Sequence, residues 1–201
     1  MAGDAVPQGE QPDGDLKRWV RAWLQERDEA AARALMDALY PTVMGIIRAR
    51  RMDAAVEQDV AQEVFIKFFE KLGAWRESAP LRHWVARIAT NQCLDRLRAA
   101  GRARELRLAD LTEDEARALE SSLEAPERLA DEETGAVELA RKLLARLTPE
   151  ERVVIEMLDM EGRTATEVQR LTGWSSVAIR VRAFRARRKL RQWMQRLGDK
   201  L

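Results

Sequence analysis

Cysteine, histidine and tyrosine each occur once in 201 residues. A single cysteine, Cys93, excludes a disulfide scaffold and a cysteine-rich zinc site. A single histidine, His83, excludes a His–His metal pair and disfavours histidine-centred catalysis. No glycine-rich phosphate loop and no nucleophile–base pair stands out, so neither a cofactor nor an enzymatic activity is expected. No apolar run approaches the roughly 18 residues that a membrane span requires. The segment 1–14 is polar and acidic, unlike a secretory signal, so a cytoplasmic protein without membrane insertion is expected. No stretch alternates apolar and polar residues as a strand would.

What the chain has in abundance is charge, 34% of its residues, unevenly distributed. The net charge is −3 over 1–14, +3 over 15–100, −6 over 101–136 and +7 over 137–201. Residues 168–198 hold nine bases and no acid. An acidic stretch thus separates two more basic blocks, and the last block calls for a polyanionic partner.

Helical periodicity organises the rest into an all-α chain of two small domains. Residues 1–14, with Pro7, Pro12, Gly3, Gly9 and Gly14, read as a disordered tail. From Asp15, the residues Leu16, Trp19, Val20, Trp23 and Leu24 recur on one helical face. Asp28 is placed to cap a second helix, which Pro41 should kink or restart. A third helix spans 55–72 and ends at Gly73. After a loop, Pro80 suits the first position of a fourth, with Leu81, Trp84, Val85 and Ile88 facing inward. Residues 101–136 read as an acidic linker, with a frayed helix around 113–123. In the second domain, 137–201, Thr148-Pro149-Glu150-Glu151 and Thr164 to Glu167 carry the capping-box spacing. Gly162 fits a helix stop, Gly173 marks a tight turn, and Ser175 opens a long last helix.

Two short helices around a glycine turn, the second densely basic, form a helix-turn-helix pattern. Guanidinium groups suit phosphate oxygens and guanine edges, and the small Ser175 and Ser176 suit the close approach of a helix start to base edges. A solvated or partner-binding basic helix is the alternative; the capped pair and its turn favour DNA. Val177, Ile179, Val181, Phe184 and Leu190 compete for the inner face, and not all of them fit there.

The stretch SSVAIRVRAFRARRKLR from Ser175 resembles the promoter-reading helix of region four in RNA polymerase sigma factors. DVAQEVFIKFF from Asp59 resembles their region 2.2, and LRHWVARIATNQCLDRLR from Leu81 to Arg98 is similar to regions 2.3 and 2.4. Their order, with a short linker and no third domain between, is similar to the extracytoplasmic-function (ECF) group.

This resemblance implies a region 2 domain at 15–100 and a region 4 helix-turn-helix domain at 137–201. It implies docking on core RNA polymerase through Asp59, Gln62, Glu63 and Phe69. It implies contacts to a melted minus-ten promoter element through Arg76, Ser78, Arg82, Arg87, Thr90 and Asn91. Ser175, Ser176, Arg180, Val181, Arg182, Phe184, Arg185 and Arg188 would serve the minus-thirty-five element. By the same resemblance Arg180, Val181, Phe184 and Arg185 would face the major groove, while Arg182, Arg187 and Arg188 would serve mainly the backbone. The linker would thread the polymerase's RNA exit channel. The implied partners are core polymerase, promoter DNA and an anti-sigma factor, with a monomer when free.

The chain departs from the pattern at Val181, where a small hydroxyl residue is common, and at Gln169, whose bulk replaces the usual alanine at the helix crossing. Trp174 after the turn glycine is large enough to brace the turn. Trp84 reads as core, Trp75 as an exposed loop aromatic, and Cys93 as a packed small residue. Two other readings are a dimeric helix-turn-helix regulator, which predicts an inverted-repeat site, and a helical adaptor for acidic proteins, which predicts only nonspecific DNA binding.

Overall fold

The structure, a computed structural model of the chain, describes residues 13–77, 79–109 and 132–198. The expected N-terminal tail, the middle of the expected linker with its frayed helix, and Ser78 lie outside the described residues. The described residues form α-helices and helical turns without a strand, and divide into two compact units that meet between Gln92 and Cys93.

In the first unit α1 spans Asp13–Glu26, α2 Glu29–Arg48 and α3 Ala54–Lys71, followed by a 3-10 turn at Leu72–Ala74. Helix α4 begins at Leu81 in this unit and runs to Ala109, through the division between Gln92 and Cys93 and past the boundary expected at residue 100. Asp28 caps α2 by accepting from the Ala30 amide at 2.8 Å. Pro80, expected at the first helical position, stands one place before it: its carbonyl accepts from the Trp84 amide at 3.2 Å.

Leu35, Leu39, Val43 and Ile47 of α2 are fully buried, as are Val64 and Phe68 of α3 and Val85 and Ala89 of α4. Leu16 and Val20 of α1 complete this core. The Phe68 ring stands edge-on to Phe65 and Phe69 and tilted against Trp84 at 5.7 Å, which puts Trp84 with the core. Cys93 is fully buried as expected.

Of the two outcomes expected at Pro41, a restart does not occur, because α2 continues through it. Helix α2 is also long and apolar enough, by length and composition, to cross a membrane. Its i, i+4 apolar row is instead spent on the bundle core.

In the second unit α5 spans Glu132–Ala145, α6 Pro149–Ile155, α7 Ala165–Thr172 and α8 Ser176–Gly198. Helix α5 thus starts before the expected domain boundary at residue 137. Both capping boxes form. Thr148 accepts from the Glu151 amide at 3.3 Å while Glu151 accepts from the Thr148 amide at 3.2 Å, and Thr164 and Glu167 repeat the exchange.

Helix α6 runs into a wider π turn at Glu156–Met160, which periodicity did not announce. Gly162 and Gly173 adopt positive φ of 65° and 73°. Gly173 closes α7 as a left-handed cap, with its amide bonded to the Gln169 carbonyl at 2.8 Å. The core here joins Val153, Val154, Met157, Val168, Ile179 and Ala186, all fully buried.

Candidate nucleic-acid interface

The turn between α7 and α8 is held by hydroxyl groups. Thr172 Oγ1 donates to the Val168 carbonyl at 2.7 Å and accepts from the Trp174 amide at 3.2 Å. Ser175 Oγ accepts from the Ala178 amide at 3.2 Å and so caps α8. Gln169 points to solvent, so its bulk does not obstruct the crossing of α7 and α8.

Helix α8 divides by angle. At about 100° per residue, Ile179, Ala183, Ala186 and Leu190 cluster on one side, and they are the residues that pack inward. Residues Val177, Arg180, Val181, Phe184, Arg185 and Arg188 fall on the opposite side, within an arc of about 140°. Val177 is 65% exposed, Val181 41% and Phe184 63%. Arg180, Arg185 and Arg188 are exposed as well, and none of the three pairs with an acid among the described residues. Arg180 donates to Ser176 Oγ, at 3.4 Å.

The bases on the flanks of α8 are occupied. Arg187 grips both oxygens of Asp159, at 2.5 and 3.0 Å, and this pairing raises its pKa. Lys189 donates to both oxygens of the buried Glu151, at 2.8 and 2.9 Å. The Arg182 guanidinium lies 4.3 Å over the Trp174 ring, so Trp174 braces the turn as its size suggested. Sequence spacing assigned Glu151 a capping role but did not link it to Lys189, or Asp159 to Arg187, because these partners are far apart along the chain.

In the first unit Asp59, Gln62 and Glu63 are exposed along one face of α3. Phe69 is half-buried, with its ring edge-on to Trp23 at 5.1 Å. The apolar residue that shares the outward face with Asp59 and Glu63 is Ile66, 51% exposed; its i+7 and i+3 spacing was the available signal. Gln92 of α4, 4% exposed, donates to Glu63 at 2.6 Å and accepts from Lys67. That buried amide fixes a base and an acid on α3, another link the sequence did not display.

The residues expected at a melted strand are placed unequally. Arg76, Arg87 and Asn91 are exposed, and Arg87 and Asn91 sit one turn apart on α4. Arg82 is half-buried and bonded to the Ala38 carbonyl at 2.9 Å. Thr90 is 1% exposed and donates to the Ala86 carbonyl at 2.9 Å, so its hydroxyl faces the interior rather than a ligand. Trp75 is half-buried, and its indole N–H donates to the Ala79 carbonyl at 3.1 Å instead of standing free in the loop.

A small helical bundle and a capped helix-turn-helix with an outward row of arginines define a DNA-binding transcription protein. Sigma-70 region 2 matches residues 35–103, and sigma-70 region 4 matches residues 138–190. The RNA polymerase sigma-H factor of Pseudomonas aeruginosa is 29% identical over 87% of this chain and 91% of its own length. The ECF RNA polymerase sigma factor SigM of Mycobacterium tuberculosis is 30% identical over 66% of this chain and 61% of its own. A probable RNA polymerase sigma factor, RfaY of Xanthomonas campestris, is 28% identical over 78% of this chain, which spans only 38% of that relative. A solved structure of CnrH in complex with the cytosolic domain of CnrY shares the fold, with a TM-score of 0.52 and 21% identity over 91% of this chain and 96% of the other. The chain belongs to the sigma-70 family of RNA polymerase sigma factors, in its ECF group. Such proteins are non-enzymatic transcription initiation factors.

Proposed function

We propose that this chain binds core RNA polymerase, recognises promoter DNA at two elements and opens the downstream one. The carrying observation is the partition of α8: Arg180, Val181, Phe184, Arg185 and Arg188 stand outward, while Arg187 and Lys189 are neutralised by Asp159 and Glu151. Guanidinium groups on that face suit guanine edges and phosphates, and Val181 suits a thymine methyl. Ser175 and Ser176 lie at the approaching end of the helix, where Ser175 is also the cap. Arg182, held over Trp174, serves the backbone at the edge of the groove.

Docking on polymerase is assigned to Asp59, Gln62 and Glu63 with Ile66, an acidic and amide-bearing face around one apolar contact. Half-buried Phe69 supports that face from the side. Strand opening is assigned to Arg76 with Arg87 and Asn91, whose side chains are accessible. Asn91 offers a donor and an acceptor to a base edge, and the arginines suit single-strand phosphates and base stacking. Ser78 keeps its assignment from family resemblance alone. Extruding a base costs a few kcal/mol, and binding rather than hydrolysis must supply it.

Each module by itself binds weakly; mounting both on polymerase raises their effective concentration at one promoter. A region 2 domain at 15–100, a linker at 101–136 and a region 4 domain at 137–201 suit this division of labour. The protein then acts in the cytoplasm as a monomer, with an anti-sigma factor as a further partner. The test is run-off transcription with core polymerase of the source organism on the DNA upstream of this chain's own gene. Promoter-specific transcripts that require the chain support the reading; failure to bind core polymerase refutes it.

A further inference from the structure

Helix α1 lies ahead of the region 2 match, which begins at residue 35, yet it grips the loop that follows α3. Glu77, in that loop, has each carboxylate oxygen taken by a different base of α1. Lys17 reaches Oε2 at 3.1 Å and Arg21 reaches Oε1 at 3.1 Å. Lys17 and Arg21 are one helical turn apart, so a single carboxylate spans both. The hydrogen bonds from Lys17 and then Arg21 hold the Glu77 carboxyl below its usual pKa, so it remains ionised at neutral pH.

Within the loop, two hydrogen bonds join its other described residues. The Trp75 indole donates to the Ala79 carbonyl at 3.1 Å, and the Ala79 amide donates to the Arg76 carbonyl at 3.4 Å. Between the loop and α1 lies a partly open cavity of about 110 Å³ lined by Leu16 and Lys17 of α1 and by Trp75, Glu77, Ala79, Pro80 and Leu81. Where that open space separates the loop from α1, the two ion pairs bridge them. They also cancel an acid that stands directly beside Arg76, where it would otherwise repel a phosphate backbone.

We infer that Lys17 and Arg21 of α1 act as a strap on Glu77 that holds the loop after α3 in its strand-binding conformation, making Glu77 a positioning residue for promoter opening. The inference rests on the proposed sigma function for its consequence in transcription, and on the geometry alone for the strap itself.

The test pairs hydrogen exchange of the loop peptide, followed by mass spectrometry on the full chain, with run-off transcription from a duplex promoter. In Glu77→Gln, and separately in Lys17→Met with Arg21→Met, loop exchange rises about three- to tenfold, the range expected for losing two exposed ion pairs. Raising salt to about 0.5 M accelerates loop exchange in the unaltered chain but adds little in Glu77→Gln, because salt screens only the pairs. Transcript yield at saturating chain falls by a similar factor, with affinity for core polymerase unchanged. Reversing all three charges (Lys17→Glu, Arg21→Glu and Glu77→Lys) restores both protection and yield.

Unchanged exchange in Glu77→Gln overturns the strap. Faster exchange with unchanged transcription overturns its role in opening. Absence of polymerase binding by the unaltered chain refutes the sigma reading instead, and the exchange measurement still decides the strap.

Discussion

The Arg82 guanidinium donates to the Ala38 carbonyl at 2.9 Å, across from a helix that carries a proline. Pro41 has no N–H for the Asp37 carbonyl, so α2 is one hydrogen bond short in that turn. Arg82 adds a donor there, at Ala38, and approaches Thr42 Oγ1 at 3.4 Å. An arginine that family resemblance assigns to DNA is thereby committed to the fold. Arg82→Met should destabilise the first unit by about 1.5–3 kcal/mol, the range for losing a charged hydrogen-bond donor. Urea denaturation measures this. Retained stability with lost promoter opening would return Arg82 to the DNA.

The partition of α8 predicts opposite phenotypes for neighbouring arginines. Arg185→Ala should weaken use of the upstream promoter element by about 1–3 kcal/mol if it reads a base, with stability within about 0.5 kcal/mol of the parent. Phe184→Ala should also leave stability nearly unchanged, because the ring is 63% exposed. Arg187→Ala should act on the fold through Asp159, with a smaller effect on the salt dependence of DNA binding. Fluorescence anisotropy at several salt concentrations, beside thermal unfolding, separates the two. Equal salt slopes for Arg185→Ala and Arg187→Ala would count against the partition.

Asn91 and Arg185 should fail at different steps. Asn91→Ala is expected to impair strand opening, read by permanganate footprinting, with duplex binding largely kept. Arg185→Ala should lose duplex binding first. Thr90→Val, by contrast, should register in stability, because the Thr90 hydroxyl is buried on the Ala86 carbonyl. Identical behaviour of Asn91→Ala and Arg185→Ala would show that the division of labour is wrong.

The α7 capping box gives a pH dependence. Hydrogen bonds from Thr164, its side chain and then its backbone, lower the Glu167 carboxyl from 4.5. A carboxyl depressed on folding stabilises the native state above its unfolded value, and the contribution disappears as pH falls through the folded value. Stability from this cap should therefore be constant from neutral pH to about 5 and decline below 4.5. Glu167→Gln should remove that part of the acid dependence while keeping the reciprocal bond. Carbon-detected NMR titration of the Glu167 carboxyl checks the direction, and a midpoint above 4.5 would contradict it.

The legible parts of the fold were those written in local spacing. Thr148 with Glu151, Thr164 with Glu167, Asp28, Ser175 and Gly173 act on backbone groups within a few residues, so sequence order alone brings each to its partner. The π turn after α6 was not legible, because it leaves the apolar pattern on either side nearly intact. The unbroken α2 was not legible either, since Pro41 signals a break locally while the apolar row on either side of it is buried in the bundle core.

In the candidate interface, composition announced a basic helix but treated its bases alike. By itself the sequence determined the helical class, the two capped segments around Gly173 and the family resemblance, all properties of neighbours along the chain. Only tertiary structure decided which bases remain outward. Asp159 and Glu151 reach Arg187 and Lys189 across the fold, Trp174 takes Arg182, and Ile179 and Ala186 fix the rotation of α8. Charge is a property of a residue, but its availability depends on what packing brings beside it.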